Sequence, residues 1–108
     1  MIQLKEGVKI NGLKPEMLLG VMICHEVWRR NCPGIPFVIT SVTEGKHGKG
    51  SLHYPGLAID FRIRNIVSGA LSIDQIKNNL FTDLVDSLGE NYDVVLEETH
   101  FHIEYQPK

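Results

Sequence analysis

Hydrophobic and polar positions alternate most cleanly in Leu57 to Arg64, where Leu57, Ile59, Phe61 and Ile63 fall on one side and Ala58, Asp60, Arg62 and Arg64 on the other. A period of two is the signature of a half-buried strand, and it puts Asp60 on the face opposite the core. A carboxylate between Ile59 and Phe61 is costly unless something pairs with it, so the rest of the chain has to supply a partner.

Elsewhere the period changes. Pro15 suits the first position of a helix after Lys14, and Met17, Leu18, Val21, Met22, His25 and Trp28 recur at three- and four-residue spacing. The helix should stop by "NCPGIP", whose prolines and glycine forbid continuation, and His25 and Trp28 are expected in the core. "FVITSV", Phe37 to Val42, is rich in β-branched residues and predicts a strand, followed by a glycine-rich loop, "EGKHGKG". Ser72 with Gln75 three residues on forms a capping box for a second helix with the stripe Ile73, Ile76, Leu80, Leu84 and Leu88, closed by Gly89. Tyr92 to Leu96 and His100 to Tyr105 predict two more strands. In the last one Phe101, Ile103 and Tyr105 face the core, while His100, His102 and Glu104 share the opposite side. The expected fold class is α+β, a small antiparallel β-sheet with two main helices packed on one face and the polar residues on the other.

The chain of 108 residues suits a single domain, 1–108, with no repeat or linker. A formal net charge of −2 without a basic run argues against nucleic acid bound by bulk electrostatics, although Lys46, Lys49, Arg62 and Arg64 could anchor a small anionic group. A helix running through both Cys24 and Cys32 would hold them roughly 12 Å apart, too far for a disulfide, and Cys24 reads as a small core residue. No segment reaches the length of a membrane span and the N-terminus does not read as a signal peptide, so the expectation is a cytoplasmic product as synthesised, and a monomer.

Three of the five histidines, His53, His100 and His102, fall with Asp60 on loop or strand positions that could face one cleft. Imidazole nitrogen plus carboxylate oxygen is a ligand set that zinc accepts, and three protein ligands leave a position for water. The weaker reading is a set of solvated or hydrogen-bonded histidines; the strand-embedded Asp60 beside two histidines on one strand face favours a metal.

Ser51-Leu-His53-Tyr-Pro-Gly56-Leu-Ala58-Ile-Asp60 matches the pattern SxHxxGxAxD at every specified position, and His100-Phe-His102 supplies an HxH. Together these resemble the zinc peptidases of bacterial cell-wall peptides: D-alanyl-D-alanine carboxypeptidases, vancomycin-resistance dipeptidases and phage L-alanyl-D-glutamate endolysins, with the hedgehog signalling domain as a structural cousin. The resemblance covers Phe37 to Tyr105. It implies His53, Asp60 and His102 as zinc ligands, Ser51 as a hydrogen-bonding group of the substrate site, and His100 beside the metal to stabilise an oxyanion or relay a proton. Gly56 and Ala58 would keep loop and strand close enough for ligation.

One position departs from the family pattern. Counting three back from His102, where a basic carboxylate is usual, stands Thr99; the acids at hand are Glu97, the favoured base, and Glu98. If His100 were the ligand instead, Glu97 would fall in ExxH spacing, exchanging the roles of the two histidines. Arg62, about 7 Å along the strand face from Asp60, is a candidate anchor for a substrate carboxylate. Lys46, His47 and Lys49 are weaker candidates for the same task.

The function implied is a zinc-dependent peptidase acting on an amide bond of a peptidoglycan stem peptide, made by a phage or prophage and reaching the wall after release or in a virion. The alternatives are a zinc-binding recognition module that has lost hydrolysis and a structural phage component of the same fold.

Overall fold

The computed structural model describes residues 1–42 and 56–108. Seven elements follow in the order β1 (Ile2–Leu4), α1 (Pro15–Asn31), β2 (Phe37–Ser41), β3 (Ala58–Arg62), α2 (Ile73–Leu88), β4 (Tyr92–Leu96) and β5 (His100–Tyr105). The fold is α+β, as the periodicities predict. The five strands form one sheet in the order β1-β2-β3-β5-β4, antiparallel except for the parallel β1–β2 pair. β1, which the hydrophobic pattern does not announce, is a three-residue edge strand with all of its residues exposed.

Both helices pack on the same side. α1 starts as expected with Pro15 after an extended Lys14, and α2 carries the full capping box between Ser72 and Gln75. The buried stripe of α2 is Ile76, Leu80, Leu84 and Leu88, while Ile73 in the first turn is exposed. The buried face of α1 is Met17, Gly20, Val21, Cys24, Val27 and Trp28, rotated away from Leu18 and Met22, which are exposed. Small residues allow that rotation: a Cβ on Gly20 would lie 3.0 Å from the Tyr92 ring.

His25 consequently sits at the rim and not in the core. It is half-buried, stacks on Phe37 with ring centroids 5.7 Å apart, and its Nε2 lies 3.2 Å from the N-terminal amine. Burial, and then the neighbouring positive N-terminus, lower its pKa. α1 ends at Asn31, so Cys32 is its C-cap and not a helical residue; both cysteines are free and buried, and burial pushes their thiol pKa values up, that of Cys32 to about 11. The helices are clasped to each other by Arg30 Nη2 donating to Asp83 at 2.7 Å and Asn31 Nδ2 donating to the same carboxylate at 2.9 Å.

An aromatic column ties α1 to three strands. Phe61 on β3 lies 4.8 Å from Phe37 on β2, 5.3 Å from Phe101 on β5 and 5.9 Å, edge-on, from Trp28. All four rings are essentially inaccessible to solvent, and such pairs add about 0.5–1.5 kcal/mol each beyond their buried area. Ile59 and Ile63 enter the same core, which fixes the facing of β3. Ala58, on the side of Asp60, is buried but outside that cluster.

The chain enters β3 through a tight approach. Gly56 has φ +77°, its carbonyl accepts from Lys14 N–H at 3.0 Å, and a Cβ there would collide with the Gly12 carbonyl oxygen. The glycine of the motif thus holds β3 against the segment leading into α1. Gly34 has a comparable φ of +81° with open space around it. Gly34→Ala should therefore cost only left-handed strain, about 1–2 kcal/mol, and Gly56→Ala at least about 1 kcal/mol more from the backbone collision. Urea unfolding of both variants measures the difference, and equal costs would mean that the Gly12–Gly56 approach does not hold the fold.

Candidate metal centre on the outer sheet face

The ladder between β3 and β5 sets the geometry. Asp60 is directly opposite His102, and Arg62 opposite His100, so the outward side chains of these four residues are cross-strand neighbours. On the far side of β5, Val95 faces His102 and Asp93 faces Glu104. On the β2 side the register shifts between Ile39 and Ser41, which brings Ser41 opposite Asp60.

His102 stands between two carboxylates. Its Nδ1 is 2.7 Å from Asp60 Oδ1 and its Nε2 2.6 Å from Glu104 Oε1, with the three side chains only 17–23% exposed. Glu104 is itself held by Gln106 Nε2, which donates to Oε2 at 2.6 Å. A ring can donate to two carboxylates at once only as imidazolium. The Asp60 hydrogen bond, opposed by burial and reinforced by Glu104, accordingly raises the His102 pKa to about 9.

His100 approaches the other oxygen of Asp60, with Nε2 3.8 Å from Oδ2. Its Nδ1 shares a hydrogen bond with Thr99 Oγ1 at 3.0 Å, and the Thr99 carbonyl accepts from Ile63 N–H at 3.2 Å. Thr99 therefore orients the His100 ring. Beside this pair a polar cavity of about 210 Å³ is walled by Thr40 and Ser41 of β2, by Asp60, Arg62 and Arg64, by Thr99 and His100, and by Lys5.

Of the residues singled out from the sequence, Asp60, Arg62, His100 and His102 come together on one face. Ser51 and His53 lie outside the described residues, as do Lys46, His47 and Lys49. Glu97 and Glu98 are exposed in the β4–β5 turn, where Glu97 N–H donates to the His100 carbonyl at 2.9 Å. The glutamate that touches a site histidine among the described residues is Glu104, to which sequence reasoning gave no role although the period of two had placed it beside His102. Among the described residues no group of three or more His, Cys, Asp or Glu side chains is arranged to hold a metal ion. Asp60 and His102 nevertheless set an oxygen and a nitrogen donor side by side, a pair that suits zinc. No helix among the described residues is long and apolar enough to cross a membrane.

Comparison with protein-family models, with curated proteins and with solved structures returned no match.

In metal-free protein His102 should titrate near pH 9 in an NMR pH series, well above an ordinary histidine, and Asp60→Asn should bring it down. Its folded-state pKa is raised, so the stability it contributes is complete below about pH 6.5 and is lost as the pH rises through about 9. The gap in unfolding free energy between wild type and Asp60→Asn should therefore narrow from pH 6 to pH 10; a gap that widens would contradict the assignment.

Proposed function

We propose that this chain is a zinc-dependent peptidase that hydrolyses an amide bond in peptidoglycan stem peptides. The observation that carries the reading is the contact of Asp60 with His102, and the approach of His100, on the outer face of the sheet, by a chain that also bears SxHxxGxAxD and HxH. His53, Asp60 and His102 would hold the ion. Zinc bound there supplies a water that ionises near neutral pH and a Lewis acid for the scissile carbonyl.

The roles of the chain's own groups follow from their contacts. Asp60 brings a formal negative charge, and its strand neighbours Ile59 and Phe61 keep it from turning inward. Glu104 accepts from His102 Nε2 and fixes the ring with Nδ1 toward Asp60, the outer carboxylate that orients a ligating imidazole. Thr99 holds His100 by Nδ1, leaving Nε2 turned to the cleft to donate to the oxyanion that develops as the amide is attacked. Glu97, whose backbone is tied to that of His100, is the proposed base, with Glu98 as the alternative. A phage or prophage product, cytoplasmic when made and acting on the wall after release or within a virion, accords with this activity.

Thr99 in place of the usual acid favours one rival, a recognition module that binds zinc without hydrolysis. Mass spectrometry of purified muropeptides incubated with zinc-loaded protein decides between them. We expect a mass loss that names the bond and is absent with Asp60→Ala; stoichiometric zinc without cleavage would select the recognition module.

Glu104→Gln should lower kcat/KM by about 10- to 100-fold through loss of ring orientation. Glu97→Ala should lower kcat while zinc remains bound, and turnover at the wild-type rate would remove Glu97 from the mechanism.

A further inference from the structure

The two ends of the sheet are finished differently. β4, at one end, carries Asp93, which pairs with Lys108 at 3.5 Å, and charge on an edge discourages a further strand. β1, at the other end, is Ile-Gln-Leu and bears no charge. The Met1 carbonyl accepts from Phe37 N–H at 3.0 Å, and Lys5 N–H donates to the Ile39 carbonyl at 2.9 Å. Alternation along the strand therefore turns the N–H and C=O groups of Ile2 and Leu4 away from β2. They point to an edge where, among the described residues, no strand lies beside β1.

The side chains continue this opening. Ile2 and Leu4 stand in register with the core residues Phe37 and Ile39, on the helix side of the sheet. With Ile10, and with Leu18 and Met22 of α1, they wall a groove of about 460 Å³ that is lined by apolar side chains alone and floored by Ile39. All five wall residues are 41–68% exposed. They leave on the order of 500 Å² of apolar surface in water, as large as the largest patches of typical monomers, which are often interaction sites.

A second copy of the chain fits this edge by symmetry. Ile-Gln-Leu reads apolar, polar, apolar in either direction, so β1 can pair antiparallel with itself about a two-fold axis through Gln3. Ile2 then faces Leu4 of the other copy, and each such pair exchanges both backbone hydrogen bonds through the groups that point outward. The two grooves abut on the helix side and cover one another. Strand and groove together approach the ~800 Å² per partner of a standard interface.

We propose that β1 and its apolar groove form the interface of a two-fold dimer of this chain, in place of the monomer expected from the sequence. The axis keeps each face of the sheet on its own side, so both outer faces, with their Asp60–His102 pairs, open in one direction. From β3 through β2 and β1 to the same strands of the other copy is five strand spacings, about 24 Å along the joined sheet. The dimer does not rest on the peptidase reading.

Sedimentation equilibrium of the whole 108-residue chain tests it, from micromolar to millimolar concentration and with metal chelated. A species of twice the chain mass should prevail at the top of that range. Met22→Lys, at the most exposed wall of the groove, should raise the dissociation constant at least about tenfold without changing urea unfolding, while Met22→Leu keeps the dimer. Gln3→Cys should form an intermolecular disulfide on mild oxidation. Residues facing one another across this axis have Cα atoms about 4.5 Å apart, within disulfide reach, whereas Cys24 and Cys32 are buried. A chain that stays monomeric throughout would overturn the proposal. So would a dimer that ignores Met22→Lys or forms without the Gln3→Cys link, because it would pair through another surface. A monomer whose Ile2 and Leu4 amide resonances shift on adding the extended peptide acetyl-Val-Thr-Val-Thr-Val-amide would assign the edge to a foreign strand, and overturn it likewise. Sedimentation reads no turnover, so failure of the dimer and failure of the peptidase reading are separate results.

Discussion

Everything on the outer face depends on how β3 is pinned from the inner one. Ile59 and Phe61 are fully buried, and Phe61 touches rings from β2, β5 and α1, so the strand cannot turn over without exposing the centre of the core. Slipping the register by one residue would drive Asp60 into that core and Phe61 into water, which is why a strand with one buried face is strongly specified. Asp60 therefore faces outward as a consequence of hydrophobic packing. The ladder to β5 then determines that its neighbour is His102.

Once that neighbour is set, the electrostatics follow. Two carboxylates that are only partly exposed gain most from a cation between them, and a protonated His102 ring supplies it. The same oxygen and nitrogen atoms, braced by Glu104 and Gln106, are of the types that the proposed zinc site would use. Thr99 braces His100 through its hydroxyl, and is itself held by the backbone N–H of Ile63. The face thus divides into a histidine–carboxylate centre and, along β3 past Asp60, a cationic wall at Arg62 and Arg64.

Much of this is visible in the order of residues, for reasons that can be named. Period two in β3 and β5 and the Ser72–Gln75 box are local signals, and they predict the strands, the second helix and the shared face of Asp60, His100 and His102. The failures are equally physical. β1 is three exposed residues stabilised by a parallel partner more than thirty positions away, so no local pattern marks it. The stripe of α1 misleads because Leu18 and Met22 are apolar yet exposed, whereas Gly20 and Cys24, too small to weigh in a periodicity, lie in the packed interface. Glu104 carried no role because alternation tells which side chains share a face but not which of them will touch; that needs the ring torsions of His102. Gly56 also approaches Gly12, a partner that only the tertiary fold reveals.

The most direct test of the account is zinc K-edge X-ray absorption on protein loaded with one equivalent of zinc, beside an Asp60→Ala control. The account predicts nitrogen and oxygen donors at about 2.0–2.1 Å, with imidazole scattering from two histidines, and loss of stoichiometric binding in the control. Zinc held through sulfur, or bound equally well without Asp60, would contradict it.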